Sequence, residues 1–390
     1  MNIFFSVGDP SGDQHTAHLI EELKRRRPDI QFCGYGGPLM AQAGCRLHHQ
    51  LTDLAVMGLL PIIPLLWKFY RLLRKAEQLF DQLRPDAIIV VDFPGFNWWI
   101  ARKAKAAGIP VFYYLTPQLW AWAPWRVKRI RKFVDHVLCA LPFEKLWFAE
   151  RDVEAEFVGH PVFDEIAAHP LDKIFCDTWS SQRYRTVAIL PGSRNQEVNR
   201  NWPLMLDVIR RLHAGQPNTR FLVACCTQQH QRFCRGQTLA EDGELPIHFF
   251  VGKTPEIIQI AECALSVSGS VSLELLARLT PTVVMYYSSR TSNFLVKLLM
   301  TCKYITLPNL IADRELMPEI LFSGNPTPFV DHICNIMHHW LNDQTELDRL
   351  VDELAKLRNV VAKSGAISRA ADVILQRLPS VTQAEQLVAA

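Results

Sequence analysis

The sequence predicts an α/β protein of two domains, each a parallel sheet covered by helices. Short runs of β-branched and aromatic residues alternate with segments whose apolar residues recur at helical spacing, which is typical of strand–helix–strand units. The alternation stops at 159–170, where Gly159-His160-Pro161 and Pro170 interrupt it, and then starts again. The length of 390 residues also suits about two to three domains. We therefore expect a first domain over 1–163 and a second domain from 164 onward.

The first half opens with Asn2–Val7, a run rich in apolar and aromatic residues that predicts a strand. Asp86–Asp92 is continuously apolar between its two acidic ends, as expected of a strand buried on both faces. Pro64–Arg84 has apolar residues at helical spacing and predicts a long amphipathic helix. The other elements expected here are strands at Ile30–Tyr35, Pro110–Leu115 and His136–Leu141 and helices near Asp13–Arg26 and Trp98–Ala107.

The second half repeats the alternation of predicted strands and helices. After residue 325 the sequence predicts helices only, through about Arg377. In parallel sheets, ligands bind outside the carboxyl ends of strands, and a cleft between two such domains is the expected site. The loops that follow strands are therefore the candidate functional segments. The strands predicted here are Thr186–Leu190, Arg220–Cys225, His248–Val251, Ala264–Ser268 and Thr282–Tyr286.

Composition excludes several classes of protein. The chain is 49% hydrophobic and 21% charged, with a formal net charge of +3, which is too balanced for a protein that coats nucleic acid. The ten cysteines form no C-x-x-C pair, and we expect reduced cytosolic thiols. Cys225, Cys226, His230 and Cys234 do not match zinc spacings, so no metal is expected. The first residues lack a basic segment, and the longest apolar stretch is too short to span a membrane, so a cytosolic protein is expected.

The loop after the first strand, Gly8 to His15, contains Ser11, Gly12 and Asp13. Its small residues allow a sharp turn whose backbone N–H groups face a ligand, although Ser11 or Asp13 as a simple N-cap explains it equally. The loop is neither a G-x-G-x-x-G nor a Walker A motif. Asp92 ends another strand, where partial burial would raise its pKa toward that of a general base. The alternative is that Asp92 caps the next helix.

Two loops of the second half suit a nucleoside diphosphate. Pro191-Gly192-Ser193-Arg194 ends in a guanidinium fork that matches phosphate oxygens. Ser268-Gly269-Ser270 leads directly into a helix, whose free N–H groups and dipole favour an anion. Glu274, one turn further on, suits two neighbouring hydroxyls such as a ribose diol.

Two further parts of the first half combine aromatic or apolar residues with basic residues. Trp120 and Trp122 suit a sugar or acyl site, with core packing as the alternative. Five cations lie between Arg126 and Lys132, either a clamp for an anionic substrate or a solvated helix face. The apolar stretch Leu54–Trp67 runs into a basic helix, which describes a membrane-surface element or a buried helix with a solvated face. The cations of that helix are Lys68, Arg71, Arg74 and Lys75.

Several short motifs follow one another in order along the chain. They are Ser11-Gly12-Asp13, Gly37-Pro38, Leu54-Ala55-Val56-Met57-Gly58, Asp92-Phe93-Pro94-Gly95-Phe96-Asn97, Pro117 with Trp120-Ala121-Trp122, Leu141-Pro142-Phe143-Glu144, Gly159-His160-Pro161, Leu190-Pro191-Gly192-Ser193-Arg194, Ser268-Gly269-Ser270 with Glu274, and Leu307-Pro308-Asn309-Leu310. Together they resemble the lipid-A-disaccharide synthase family from about residue 2 to about residue 375. One departure is visible, because Gly8-Asp9-Pro10 stands where the family commonly has Gly-Glu and a small residue; Asp9 is therefore not counted as catalytic.

The resemblance implies two Rossmann-like domains of the GT-B type with an interdomain cleft, the nucleotide on the C-terminal domain (164–345), and C-terminal helices (346–390) that return to the N-terminal domain. It implies an inverting glycosyltransferase that joins UDP-2,3-diacylglucosamine to 2,3-diacylglucosamine 1-phosphate and releases UDP, without a metal or cofactor. It also implies peripheral contact with an anionic membrane on the cytoplasmic face of the inner membrane. A homodimer with exchanged C-terminal segments is a further possibility that the family offers.

Residue by residue, the resemblance makes Asp92 the first candidate for the catalytic base and Asp13 the second. Substrate binding is expected from residues of both domains. These are Ser11, Gly12, Asn97, Trp120, Trp122 and Arg126 in the first domain, and Arg194, Ser268, Gly269, Ser270, Glu274 and Asn309 in the second.

Two other functions remain open from the sequence. Another GT-B sugar-nucleotide enzyme, such as a UDP-N-acetylglucosamine 2-epimerase, would need neither an acylated acceptor nor a membrane surface. A peripheral membrane-binding protein that reuses the fold would leave Asp92 and Arg194 without a role.

Overall fold

The computed structural model describes residues 1–54, 65–180, 184–238, 243, 245–287 and 301–378. Most of the apolar stretch Leu54–Trp67 therefore lies outside the described residues. The chain divides into two compact units, one of Met1–Asp164 together with the segment from Lys363 onward, and one of Glu165–Ala362. Within the described ranges, no helix is both long and apolar enough to cross a membrane.

The first unit contains a parallel sheet of seven described strands in the order β3-β2-β1-β4-β5-β6-β7. The order reverses between β1 and β4, which is the topological switch point of a doubly wound sheet. The strands are β1 Asn2–Val7, β2 Gln31–Gly36, β3 Arg46–Gln50, β4 Ala87–Val91, β5 Val111–Tyr114, β6 His136–Cys139 and β7 Ala155–Phe157. Its described α-helices are Pro10–Arg26, Pro38–Gln42, Leu66–Leu83, Pro94–Ala106, Val127–Phe133, Pro142–Ala149 and Ala366–Arg377, with 3₁₀ turns at Leu51–Leu54 and Pro124–Arg126. The helix Val162–Ala168 contains the division between the two units.

The second unit contains a parallel sheet of six described strands in the order β10-β9-β8-β11-β12-β13, so its switch point lies between β8 and β11. The strands are β8 Arg185–Leu190, β9 Thr219–Cys225, β10 Ile247–Val251, β11 Cys263–Val267, β12 Thr282–Tyr287 and β13 Glu319–Phe322. Its described α-helices are Lys173–Trp179, Asn195–Gly215, Gln228–Gln237, Thr254–Ile260, Val271–Ala277, Leu307–Ala312, Thr327–Asn342 and Gln344–Val361.

Both faces of the first sheet are buried, which explains its continuous apolar strands. Along β4, Ile88 and Val90 belong to one core cluster, while Ile89 and Val91 belong to the cluster on the opposite face. Successive side chains of a strand point to opposite faces, so a strand covered on both sides needs apolar residues at every position.

The helix Ala366–Arg377 completes the first unit by packing on one face of its sheet. Its Ala370 and Ile374 are fully buried in the core cluster that contains residues of β1. Asp164 accepts hydrogen bonds from the backbone N–H groups of Gly365 and Ile367, the second at 2.8 Å. Gly365 has a φ of +88°, a conformation that favours glycine. The segment that returns to the first unit therefore begins at Lys363. The expected segment was 346–390, but most of the helix Gln344–Val361 falls in that range and lies in the second unit.

Three strands were not expected from the sequence: β3, β7 and β13. All residues of β3 except Leu47 are polar or charged, and none of the five is fully buried. β7 has three residues and β13 four. All three strands are at or near the edge of a sheet, where partial exposure removes the apolar pattern that marks a central strand.

Candidate active site

Two carboxylates lie at the switch point of the first sheet. Asp9 follows β1 and Asp92 follows β4, and these strands are neighbours with Val7 in register with Val91. The two following loops are packed closely, since a Cβ atom at Gly8 would lie 2.2 Å from the ring of Phe93. Only glycine fits at position 8, and this close approach brings the two loops together at the ligand edge of the sheet.

The backbone at Asp92 is held in an uncommon conformation. Asp92 and Phe93 have φ angles of 39° and 47°, in the left-handed region that costs free energy for residues with a side chain. The carbonyl of Asp92 accepts from the Asn97 amide at 2.8 Å and from the Tyr113 hydroxyl at 2.9 Å. These two buried donors hold the strained turn in place.

Asn97 is fully buried, and all its polar atoms have partners in this chain. Its amide also donates to the carbonyls of Ser6 at 3.1 Å and Val91 at 3.0 Å, and its oxygen accepts from the Ser6 hydroxyl at 2.7 Å. Asn97 therefore ties β1 to β4. The contacts of this expected binding residue within the chain position the backbone of the site.

Asp92 is an exposed residue by its total accessible surface, yet the pKa of its carboxyl group is raised to about 6. The first cause is desolvation by the protein atoms crowded around the carboxyl group, the second is the nearby charge of Asp9, and a hydrogen bond from the backbone of Phe93 opposes both. The crowded protein atoms destabilise the charged form of the carboxyl group, while other atoms of the residue remain accessible to solvent. An accessible carboxyl group that ionises near neutrality suits a general base.

Asp13 has a different environment. It is buried, and its two oxygens accept from the backbone N–H groups of Gly37 at 2.9 Å, Leu39 at 3.0 Å and Met40 at 3.1 Å. The carboxylate thus caps the start of the helix Pro38–Gln42. These bonds leave it poorly placed to accept a proton from a substrate, and the geometry favours Asp92 of the two candidates.

The helix Pro10–Arg26 is capped by Asp9, not by Ser11 or Asp13 as the sequence suggested. A carboxylate oxygen of Asp9 accepts from the Ser11 backbone N–H at 3.1 Å and from its hydroxyl at 2.5 Å. Gly12 is buried, and a Cβ there would lie 3.1 Å from Val7, so glycine lets the helix approach β1 closely. Ser11 itself is exposed at the same edge as Asp92.

The two expected tryptophans have different surroundings. Trp120 is buried, and its indole N–H donates to Glu144 at 2.9 Å. Burial raises the pKa of Glu144 to about 7, although Trp120 and two backbone N–H groups stabilise its charged form. Trp120 therefore packs in the core, which was the alternative weighed from the sequence. Trp122 and Arg126 are exposed and remain available to a ligand.

In the second unit, Arg194 follows β8 and stands at the start of the helix Asn195–Gly215. Its guanidinium contacts Glu197 at 2.8 Å. The other oxygen of Glu197 accepts from the backbone N–H groups of Ser193 at 3.2 Å and Arg194 at 3.3 Å. Glu197, which the sequence analysis did not single out, thus holds the donors that a phosphate group would use.

The matching loop after β11 contains Ser268, Gly269 and Ser270, the last two exposed. It leads into the helix Val271–Ala277, where the hydroxyl of Ser272 donates to the carbonyl of Gly269 at 2.8 Å. Because β8 and β11 are adjacent, this loop and the Arg194 turn lie at the same edge of the sheet.

Asn309 is fully buried and forms four hydrogen bonds within the chain. Its oxygen accepts from the N–H groups of Leu316 and Met317, and its amide donates to the Met317 carbonyl and to Glu319, all at 2.7–2.9 Å. Its contacts order the segment before β13, so the structure gives it a structural role. In the described part of the chain, no cluster of three or more His, Cys, Asp or Glu could hold a metal ion.

Solved structures with the same fold define the class. A UDP-GlcNAc 2-epimerase from Neisseria meningitidis, solved with UDP-GlcNAc, superposes with a TM-score of 0.65 at 12% identity over 97% of this chain and 100% of its own. The glycosyltransferase of kitacinnamycin gives 0.63 at 16% identity over 97% and 99%. These likenesses show the fold alone: two parallel-sheet domains of the GT-B type, as expected.

Sequence relatives then give the family. The sequence model of lipid-A-disaccharide synthetase matches residues 3–339. The lipid-A-disaccharide synthase of Myxococcus xanthus (strain DK1622) is 32% identical over 378 residues, 97% of each chain. That of Hahella chejuensis (strain KCTC 2396) is 34% identical over 324 residues, 83% of this chain and 81% of that one. The chain belongs to the lipid-A-disaccharide synthase family of glycosyltransferases, which confirms the resemblance in its motifs.

Proposed function

We propose that the protein transfers diacylglucosamine from UDP-2,3-diacylglucosamine to 2,3-diacylglucosamine 1-phosphate, forming a disaccharide 1-phosphate and UDP with inversion at the sugar carbon. The observation that carries this proposal is the position of Asp92, an exposed residue at the switch point whose carboxyl group has a pKa raised to about 6, in a chain of this family. Near neutral pH such a group is mostly ionised and accepts a proton.

Asp92 acts as the general base. The acceptor hydroxyl is a weak nucleophile, and removal of its proton as it attacks lowers the barrier. Asn97 and Tyr113 fix the backbone at Asp92, so the point from which the carboxylate projects does not need to be ordered during the reaction. Ser11, which lies at the same edge, is placed to contact the acceptor sugar.

The nucleotide binds at the switch point of the second unit. Arg194 and the backbone N–H groups of its turn hold the diphosphate, which gains negative charge as UDP leaves. Ser268, Gly269 and Ser270 contribute from the neighbouring loop, and Glu274 holds the ribose hydroxyls. No metal is needed for this arrangement, because the protein itself supplies the positive charge.

The acylated substrates call for contact with a membrane, and we assign this contact to the start of the helix Leu66–Leu83. Trp67 and Tyr70 are 62% and 52% exposed, and their rings stack with centroids 5.5 Å apart. Arg71 lies over the Trp67 ring at 5.5 Å. Exposed aromatic rings beside cations are typical of surfaces that sit at an anionic membrane interface.

In this proposal the enzyme works on the cytoplasmic face of the inner membrane as a peripheral protein. A homodimer that exchanges C-terminal segments stays a further proposal. It would place the helix Ala366–Arg377 of one copy on the first unit of another, replacing the contacts that it makes here with its own chain.

A turnover assay with the two diacylated sugars tests the proposal. The expected products are the disaccharide 1-phosphate and UDP in equal amounts. A UDP-N-acetylglucosamine 2-epimerase would instead convert its sugar nucleotide without an acylated acceptor. Absence of disaccharide, together with epimerisation of UDP-N-acetylglucosamine, would reject the transferase. The non-enzymatic alternative predicts neither product.

A further inference from the structure

Arg278 is a buried cation next to a residue of the proposed nucleotide site. It ends the helix Val271–Ala277, and its side chain is only 6% exposed. Its Nε donates to an oxygen of Glu274 at 3.1 Å, and its Nη1 donates to Gln259 at 3.2 Å. Its Nη2 is buried and has no acceptor among the described residues. Burial of a guanidinium is costly, so the fixed contact with Glu274 calls for an explanation.

The contact constrains one oxygen of Glu274 and leaves the other available. Glu274 is 17% exposed; Arg278 holds Oε1, and in the described part of the chain Oε2 has no donor. The two residues are one helical turn apart, where side chains meet directly. The guanidinium is planar and rigid, so it limits rotation of the carboxylate in a way that a flexible ammonium would not.

We propose that Arg278 is a positioning residue that presents the free oxygen of Glu274 to the ribose hydroxyls of the nucleotide. This inference rests on the proposed function, which places the ribose at Glu274. A carboxylate with one oxygen engaged and the other without a donor can accept hydrogen bonds from a diol without first being ordered. Arg278 thereby contributes to the selectivity for a ribonucleotide without touching it.

The test compares UDP with 2′,3′-dideoxy-UDP by calorimetry on the full chain. The parent is expected to bind UDP at least about tenfold more tightly, as hydrogen bonds to a charged group imply. Glu274→Gln should remove most of this preference. Arg278→Gln should reduce it to about threefold or less, with the affinity for dideoxy-UDP nearly unchanged. Gln259→Ala, the matched control, removes only the Nη1 contact and should keep the preference.

The outcomes separate the two proposals. If Glu274→Gln leaves the preference intact, the ribose is not at Glu274, and both the site assignment and the role of Arg278 fail. If Glu274→Gln removes it but Arg278→Gln does not, only the role of Arg278 is overturned. Equal loss of affinity for both nucleotides in Arg278→Gln would indicate a structural role and also overturn it. Should that variant not fold, Arg278→Lys keeps the charge but loses the fork, and an unchanged preference there would reject the inference.

Discussion

The side-chain amide of Asn97 donates to the backbone carbonyl of Asp92 over 2.8 Å, so the residue that joins the two central strands also fixes the backbone turn that carries the Asp92 carboxyl group. The stability of the sheet and the proposed catalytic role of Asp92 are therefore coupled at this turn. The sheet edge can carry a strained left-handed turn because a buried amide with several bonds holds it there.

Replacement of Asn97 by Ala should therefore destabilise the protein. The carbonyls of Ser6 and Val91 and the Ser6 hydroxyl lose a partner, and each buried group left unsatisfied costs about 1–3 kcal/mol. We expect the free energy of unfolding in urea to fall by about 3 kcal/mol or more. Ser6→Ala, which removes a single hydroxyl, should cost about 1 kcal/mol. A loss no larger in Asn97→Ala than in Ser6→Ala would contradict the anchoring role.

Asp92→Asn should remove most turnover without loss of stability. Loss of a general base lowers kcat by roughly 10²–10⁴-fold. Ionised Asp92 is disfavoured by its surroundings, so a neutral amide should leave the melting temperature equal or higher. Asp81→Asn, an exposed carboxylate on the helix Leu66–Leu83, is the matched control and should retain full activity. Near-normal turnover in Asp92→Asn would reduce Asp92 to a structural residue.

The pH dependence of kcat/KM should have an acid limb near pH 6, since a base with a pKa of about 6 is protonated below that value. Asp9 raises the pKa of Asp92, so Asp9→Asn should lower that pKa and move the limb to lower pH. Asn is as good an N-cap as Asp, so the helix start should persist. A limb that does not move would show that the charge of Asp9 does not act on the titrating group.

We expect substitutions of Arg194 and of Glu197 to change the affinity for UDP in opposite directions. Arg194→Ala should weaken binding by about 1.5–3 kcal/mol, the range for hydrogen bonds to charged groups. Glu197 accepts hydrogen bonds from the Arg194 guanidinium and from the backbone N–H groups of Ser193 and Arg194, which the diphosphate would also use. Glu197→Gln should therefore strengthen UDP binding, because an incoming diphosphate no longer displaces a negatively charged carboxylate. Calorimetry with UDP measures both. Weaker binding in Glu197→Gln would mean that Glu197 orients Arg194 and does not compete with the ligand.

Membrane binding should depend on the exposed rings of the helix Leu66–Leu83. The double variant Trp67→Ser and Tyr70→Ser should sediment less with anionic liposomes and show a higher KM for the acylated acceptor. UDP affinity should be unchanged. Ile174→Ser removes a residue that is 80% exposed in the second unit and serves as control. If the double variant still sediments like the parent, the contact lies elsewhere, for instance in residues 55–64.

The sequence predicted the central strands well, because burial on both faces leaves a continuous apolar signal. Asn2–Val7 was predicted with its exact bounds, and Asp86–Asp92 exceeds β4 by one residue at each end. The start of the helix Pro10–Arg26 was placed too late, since its first turn contains proline, serine and glycine. Such residues are typical of loops. Only the capping contact of Asp9, which forms in the folded chain, shows that they begin a helix.

The sequence predicted where the candidate site lies in each sheet, but it predicted the roles of the individual residues less well. Parallel strands direct their following loops to one edge, so the neighbourhoods of Asp92 and Arg194 follow from element order. The role of Asp13 depends on N–H groups about 25 residues further along the chain, and that of Asn309 on a loop that follows it. Such contacts form only in the folded chain. The sequence did not predict the contacts of Glu197 and Arg278, because a charged residue at either end of a helix is usually solvated.

The return of the chain at Lys363 has a consequence for synthesis. The ribosome completes the whole of Glu165–Ala362 before the helix Ala366–Arg377 emerges. At usual elongation rates this delay is about 10–40 s. During that time the apolar face that receives Ala370 and Ile374 has no cover from its own chain. The nascent N-terminal domain would thus be the segment most in need of a chaperone, although it is the first to be made.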